Sequence, residues 1–107
     1  MTSFPENTSL SSLQAYQKAI CEERGWDKAT VPETFLLFTE EIGELAKAIR
    51  YKEKLYTEKG KQQKDEELAL EFADVFSYLL ELANQLGVNL EDAYRVKEEI
   101  NAKRSWN

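Results

Sequence analysis

The sequence predicts an all-α protein, a bundle of four helices that assembles as a homo-oligomer. Three observations lead to this fold class. Apolar residues recur every three or four positions through most of the chain, which is the spacing of an amphipathic helix. Only four glycines and two prolines interrupt these segments, and no segment alternates apolar and polar residues as a strand does. The 107 residues are enough for one core, so we expect a single domain over residues 1–107.

The first two helices are predicted from their ends as well as from their periodicity. Helix 1 should span residues 9–24 and end at Gly25, because glycine readily adopts the left-handed conformation that terminates helices. Helix 2 should start near Thr30, with Pro32 in its first turn, and continue at least to Ile49. Its apolar stripe, which we expect in the core, consists of Phe35, Phe38, Ile42, Leu45 and Ile49.

The second half of the chain begins with a basic connector and continues with two more helices. Residues 50–64 hold six Lys or Arg against two Glu, and their weak periodicity predicts a mobile connector. Helix 3 should span residues 65–86 and end at Gly87, and helix 4 should run from its cap Asn89 to about Arg104. The expected core stripe of helix 3 consists of Leu68, Phe72, Val75, Leu79, Leu82 and Leu86.

Composition excludes several classes of function. The net charge of −6 argues against a nucleic-acid polymer or an anionic membrane as partner. No apolar stretch approaches the roughly 20 residues of a membrane span, and the N-terminus lacks a signal-peptide pattern. The single Cys21 excludes an internal disulfide and fits a reducing cytosol, so we expect a cytoplasmic protein. The absence of histidine excludes the usual histidine-assisted Cys or Ser nucleophile.

Acidic residues follow the same pattern beside the core stripes of helices 2 and 3. Glu41 and Glu44 lie about 80° and about 140° from the centre of the helix 2 stripe, at 100° per residue. Glu71 and Asp74 lie at nearly the same angles from the stripe of helix 3. If the two helices pack side by side, these four carboxylates converge.

Convergent carboxylates repel one another unless a cation lies among them. An all-oxygen cluster suits a hard divalent ion, and Mg²⁺ is the usual ion where phosphate is the substrate. A carboxylate-bridged di-iron site would require Glu-x-x-His pairs, which this chain lacks. The alternative is a solvated acidic flank without a metal, and the residues alone leave that reading open.

Three ordered motifs make the sequence resemble the MazG family of nucleoside triphosphate pyrophosphohydrolases. The motif EExxE reads "EEIGE" at Glu40–Glu44, and ExxD reads "EFAD" at Glu71–Asp74. The last helix carries "KEEINAKR" from Lys97 to Arg104. The resemblance covers nearly the whole chain. It implies a MazG-like all-α fold and hydrolysis of a (d)NTP to the monophosphate and pyrophosphate, as a housekeeping activity on the nucleotide pool.

The resemblance also implies roles for individual residues. The residues that match metal ligands, for Mg²⁺ with Mn²⁺ able to substitute, are Glu41, Glu44, Glu71 and Asp74. Glu40 and Glu41 are the catalytic candidates, with Glu40 at a position that orients or deprotonates the attacking water. Lys97 and Asn101 match residues that contact the nucleotide. Arg104 lies on the same stripe of helix 4, so we expect it to neutralise phosphate charge or to pair with an acid.

Several questions stay open from the sequence. The alternative functions are a catalytically silent helical module that binds nucleotide or protein, and a phosphoribosyl-ATP pyrophosphohydrolase of similar fold. Four aromatic residues are candidates for stacking a base, although a place in the core is the commoner role: Trp26, Phe38, Tyr78 and Trp106. Apolar residues outside the core stripes favour a homodimer or a dimer of dimers: Leu36, Leu37, Leu70 and Leu80.

Overall fold

The computed structural model of the protein describes residues 1–106, and its regular structure in that range consists of four α-helices. These are α1 (Leu10–Arg24), α2 (Val31–Lys52), α3 (Asp65–Gln85) and α4 (Leu90–Ala102). The all-α class predicted from the sequence is therefore confirmed. No helix in the described range is both long enough and apolar enough to cross a bilayer.

The predicted helix ends are confirmed by the groups that cap them. The Ser9 hydroxyl accepts a hydrogen bond from the Ser12 N–H at the start of α1, and Gly25 ends that helix with φ 72°. Thr30 and Glu33 form a reciprocal capping box at the start of α2. The Asn89 side chain accepts from the N–H of the residue at the third position of α4.

The ends of α2 and α4 refine the sequence-based expectation. α2 extends to Lys52, which agrees with the predicted continuation at least to Ile49 and takes in the first three residues of the predicted connector. α4 ends at Ala102, and the Arg104 N–H instead donates to the Asn101 carbonyl in a tighter final turn. Arg104 therefore lies beyond the regular helix that was expected to carry it.

The chain divides into two compact units. The first contains residues 1–28 together with the chain from Leu80 onward, and the second contains Ala29–Leu79. Helix α3 runs through both, so its first three-quarters belong to the second unit. The buried apolar side chains of the first unit come from α1 and the end of α3: Ile20, Cys21, Leu80, Leu82 and Ala83.

A buried glutamine joins α1 to the turn between α3 and α4 in the first unit. The Gln14 side chain donates to the Val88 carbonyl and accepts from the Leu90 N–H at 3.0 Å. The Asn84 amide donates to the Gln14 backbone carbonyl at 2.9 Å. Only 8% of Gln14 is exposed, so these bonds satisfy the polar atoms of a buried side chain.

The predicted core stripes are mostly exposed in the second unit, which corrects the sequence-based expectation. Phe35 on α2 is 56% exposed and Phe72 on α3 is 55% exposed, whereas the small residues Thr34 and Ala48 are buried. Two helices alone have no further layer to cover both stripes, which explains the difference. Leu36, Leu37 and Leu70 are exposed as expected, but Leu80 is only 4% exposed and belongs to the core of the first unit.

The connector between α2 and α3 contacts the helices that flank it. The Arg50 guanidinium donates to the backbone carbonyls of Leu55 and Tyr56. Lys52, in the last turn of α2, pairs with Asp65 at the start of α3. The neighbouring ends of α2 and α3 are therefore linked by an ion pair as well as by the chain.

Replacing Gln14 by Met should destabilise the fold. Methionine keeps the length of the side chain but leaves the Val88 carbonyl and the Leu90 N–H without their partner. A fully buried backbone group left unpaired costs about 1–3 kcal/mol, and these two are partly buried, so we expect a combined loss of about 2–4 kcal/mol. Urea denaturation followed by circular dichroism measures this loss.

Gln17→Met is the matched control for this prediction. Gln17 is also 8% exposed, but its amide donates to the Cys21 sulfur, which is a weak acceptor. We therefore expect a loss below about 1 kcal/mol. Equal losses for the two variants would show that burial alone, and not the link to the α3–α4 turn, accounts for the effect.

Candidate functional site

Acidic side chains from α2 and α3 meet in the second unit. Glu41, Glu71 and Asp74 each offer a carboxylate oxygen, and these three oxygens lie within 4.8 Å of one another. Glu41 and Glu71 are half-buried, whereas Asp74 is exposed. We call these three residues the acidic cluster. The structure thus brings together three of the four residues that the sequence proposes as metal ligands.

Local sequence explains why both helices hold these side chains in place. Glu71 and Asp74 are three residues apart on α3, so they are neighbours on one face of that helix. Acidic residues in the first turn of α3 favour helix formation because they interact with its positive N-terminal end. The Lys52–Asp65 ion pair links the end of α2 to the start of α3, and the acidic cluster lies within the same helix pair.

The other two acids of the first motif lie outside the acidic cluster. Glu44 is exposed and one helical turn beyond Glu41, and Glu40 is exposed and directly precedes Glu41. Both are close enough to act electrostatically on Glu41. They surround the acidic cluster without adding an oxygen to the group that meets within 4.8 Å.

The electrostatics of the acidic cluster favour a cation. Burial raises the pKa of the Glu41 carboxyl, and the nearby negative charges of Asp74, Glu71, Glu44 and Glu40 raise it further. A positive ion among these groups would oppose both causes, because it replaces lost solvation and offsets the repulsion.

The donor set of the acidic cluster fits a small divalent cation. Octahedral Mg²⁺ binds oxygen at about 2.1 Å, so its ligand atoms lie about 3.0 to 4.2 Å apart. The oxygens of the acidic cluster lie within 4.8 Å of one another, so small side-chain rotations would bring them to those separations. Carboxylates are the ligands that hard cations prefer. The residues present are therefore compatible with a bound metal ion.

The proposed substrate-binding residues lie at the end of α4, in the first unit. Lys97 and Arg104 are exposed, and Asn101 is half-buried. The Asn101 side-chain oxygen is buried without a hydrogen-bond partner in residues 1–106, which costs about 1–3 kcal/mol in a folded protein.

One contact at this end of α4 was not foreseen from the sequence. The Trp106 indole N–H donates to the Asn101 backbone carbonyl at 2.8 Å. The sequence analysis names Trp106 only among four aromatic candidates. Its position five residues after Asn101, just beyond a predicted helix end, is the signal from which the contact could have been inferred.

Replacing Glu41 by Gln should leave the metal-free fold as stable as the parent or more stable. Glutamine keeps the shape and removes one charge from the crowded group, and each relieved like-charge neighbour contributes roughly 0.2–0.5 kcal/mol. Because the pKa of Glu41 is raised in the folded state, its charge costs stability at pH 7. Thermal unfolding in EDTA at pH 7 measures the gain.

The pH dependence supplies the control for this prediction. A carboxyl whose pKa is higher in the folded state than in the unfolded state destabilises the protein at high pH. The loss of stability develops as the pH rises from the unfolded pKa, about 4.3, through the folded pKa. The difference in stability between the Glu41→Gln variant and the parent should therefore vanish below about pH 4. A variant that is less stable than the parent at pH 7 would mean that the Glu41 carboxylate has a structural partner.

Comparison with known proteins identifies the family of the chain. The family model of the MazG nucleotide pyrophosphohydrolase domain matches residues 30–104, which include both acidic motifs and the segment from Lys97 to Arg104. An uncharacterized protein of Bacillus subtilis (strain 168), YvdC, is 32% identical over 102 residues, covering 89% of this chain and 94% of that protein. The chain therefore belongs to the MazG nucleotide pyrophosphohydrolase domain family.

Proposed function

We propose that this protein hydrolyses a nucleoside or deoxynucleoside triphosphate to the monophosphate and pyrophosphate, with Mg²⁺ as cofactor. The observation that carries the proposal is the acidic cluster, in which both acidic motifs of the family contribute oxygens within 4.8 Å of one another. Membership of the family supports a pyrophosphohydrolase as the class of enzyme. Removal of surplus or non-standard nucleotides in the cytoplasm is the corresponding role.

The metal would be held by the acidic cluster, with Glu44 as a further ligand. Bound Mg²⁺ supplies charge neutralisation at the phosphates and lowers the pKa of coordinated water. The carboxylates of Glu41, Glu71 and Asp74 lie on two helices, so the backbone already brings them near one another before substrate arrives. Such preorganisation reduces the reorganisation needed during the reaction.

The remaining residues have roles that follow from their chemistry. Glu40 is exposed and adjacent to the acidic cluster, so its carboxylate can orient the attacking water and accept its proton. The water oxygen bonds to the α-phosphorus, the α–β phosphoanhydride bond breaks, and pyrophosphate leaves. From the motif match we propose that Lys97 and Arg104 compensate phosphate charge and that the Asn101 side chain contacts the phosphate or the sugar of the nucleotide.

Asp74→Asn should lower turnover of a (d)NTP by at least a hundredfold, because a charged ligand is lost and the phosphates are no longer positioned. A panel of (d)NTPs, assayed with Mg²⁺ for monophosphate and pyrophosphate, measures the effect. Glu53→Gln, an exposed carboxylate in the connector, is the matched control and should retain parental turnover.

The same assay separates the alternatives. EDTA should abolish turnover and leave the helical signal unchanged, because the buried residues do not depend on an ion. Turnover that persists in EDTA would contradict the role of the metal. Binding of (d)NTP without hydrolysis would favour a silent binding module, and hydrolysis confined to phosphoribosyl-ATP would identify the related enzyme of histidine synthesis.

We further propose that a second copy of the chain covers the exposed apolar stripes of α2 and α3. Side chains that a stable single-chain core would bury are largely exposed, including Phe35 at 56%, Phe72 at 55% and Leu70 at 65%. Burying a large apolar side chain contributes about 1.5–3 kcal/mol, so covering several of them favours stable association. A homodimer or a dimer of dimers is the expected assembly.

Light scattering at micromolar concentration should therefore give two or four times the chain mass of 12.4 kDa. Phe35→Lys should shift the protein towards the monomer, because it places a charge in the apolar stripe. Tyr56→Lys adds the same charge at a connector residue that is 93% exposed, and it should leave the mass unchanged. A monomeric parent protein would contradict the proposed assembly.

A further inference from the structure

The aromatic residues named as candidates for base stacking differ in how freely their rings are presented. Trp106 is 68% exposed. Trp26 is 54% exposed, but the Arg24 guanidinium lies over its ring, 4.9 Å from the centroid. Phe38 is half-buried, with its ring centroid 6.3 Å from that of Phe35, and Tyr78 is also half-buried. Trp106 therefore presents the most exposed ring of the four.

The Trp106 ring is exposed and also fixed in position. Its N–H, which lies on the ring edge, donates to the Asn101 carbonyl at 2.8 Å. The Arg104 N–H donates to the same carbonyl at 3.1 Å, so two bonds tie the residues after α4 to the end of the helix. A hydrogen bond at the edge of an indole leaves its faces available. An anchored aromatic ring loses little conformational entropy when a planar ligand stacks on it.

The order of groups along α4 matches the order of groups in a nucleotide. Lys97 and Asn101 are four residues apart, which places them on one face of the helix about 6 Å apart along its axis. The Trp106 indole lies further along, where it donates to the Asn101 backbone carbonyl. A cation, an amide and an aromatic ring thus come in sequence, and a nucleotide carries phosphate, sugar and base in the same sequence.

We propose that Trp106 is a specificity-determining residue whose indole face stacks on the base of the nucleotide, while Lys97 and Asn101 hold its phosphate and sugar. This inference rests on the proposed function. Stacking reads the face of a base and not its hydrogen-bonding edge, so all four bases are accepted by this residue. The larger purine ring covers more of the indole, so the residue favours purine over pyrimidine nucleotides.

Affinity measurements with matched ligands and variants test the role of Trp106. The ligands are the hydrolysis-resistant α,β-imido analogues of dATP and dUTP, and inorganic tripolyphosphate, which has the phosphates without a base. With Mg²⁺ present, Trp106→Ala should lower the affinity for the dATP analogue by about tenfold or more, within the range typical of lost base stacking. The loss should be smaller for the dUTP analogue, and tripolyphosphate should bind as it does to the parent.

Two further variants separate stacking from a structural role. Trp106→Phe keeps an aromatic face but loses the anchoring N–H, so its affinity for the dATP analogue should lie between those of the parent and Trp106→Ala. Tyr94→Ala removes another exposed aromatic ring of α4, on the other side of Lys97, and should leave all three affinities unchanged. Because the chain has two tryptophans, Trp26→Phe leaves Trp106 as the sole tryptophan fluorophore. Its emission should be quenched by the dATP analogue and unaffected by tripolyphosphate.

The possible failures are distinguishable. If Trp106→Ala lowers the affinities for tripolyphosphate and for the dATP analogue equally, the indole has a structural role at the end of α4, and the inference is overturned. If Tyr94→Ala, and not Trp106→Ala, lowers the affinity for the nucleotide analogues but not for tripolyphosphate, Tyr94 is the stacking residue. Hydrolysis by a Trp106→Ala variant with parental KM would overturn the inference and leave the proposed function intact. A parent protein that binds no nucleotide would overturn both.

Discussion

Repulsion among the carboxylates of Glu41, Glu71 and Asp74 is the interaction on which the rest of this account depends. Two unit charges about 4 Å apart repel by about 4 kcal/mol at an effective dielectric of 20 and by about 1 kcal/mol in bulk water. Asp74 is exposed, so its repulsion lies nearer the value in bulk water. Glu41 is half-buried, and burial together with the neighbouring negative charges raises its pKa. The fold therefore keeps acids together at a cost in stability. A bound cation would offset that cost, and this is the proposed link between the geometry and the function.

Holding acids together requires two helices that stay side by side, and the sequence provides for this at both ends of the connector. Lys52 and Asp65 pair where α2 ends and α3 begins, and Arg50 binds the backbone of the connector. The same two helices leave apolar stripes exposed, with Phe35 and Phe72 more than half accessible. Assembly with a second copy would then stabilise α2 and α3, which carry the acids. The stability of this helix pair and the activity would both depend on the proposed interface between copies.

Much of the fold could be predicted because local signals determine it. The caps at Ser9, Thr30 and Asn89, and the left-handed Gly25, act within a few residues, so sequence reveals them. Helical periodicity also placed Glu41 opposite the acids of α3. Burial could not be predicted in the same way, because periodicity identifies an apolar face but not whether the same chain covers it. The Gln14 network was missed because its partners lie about 70 or more positions away in the sequence.

The most direct test of the central claim is to locate a bound ion. Crystals grown with Mn²⁺, which substitutes for Mg²⁺ at oxygen sites and scatters anomalously, would reveal its position. We expect an anomalous peak between the carboxylates of Glu41, Glu71 and Asp74, about 2.2 Å from at least one oxygen of each. A saturating Mn²⁺ concentration that gives no peak there, or a peak only at other acids, would contradict it.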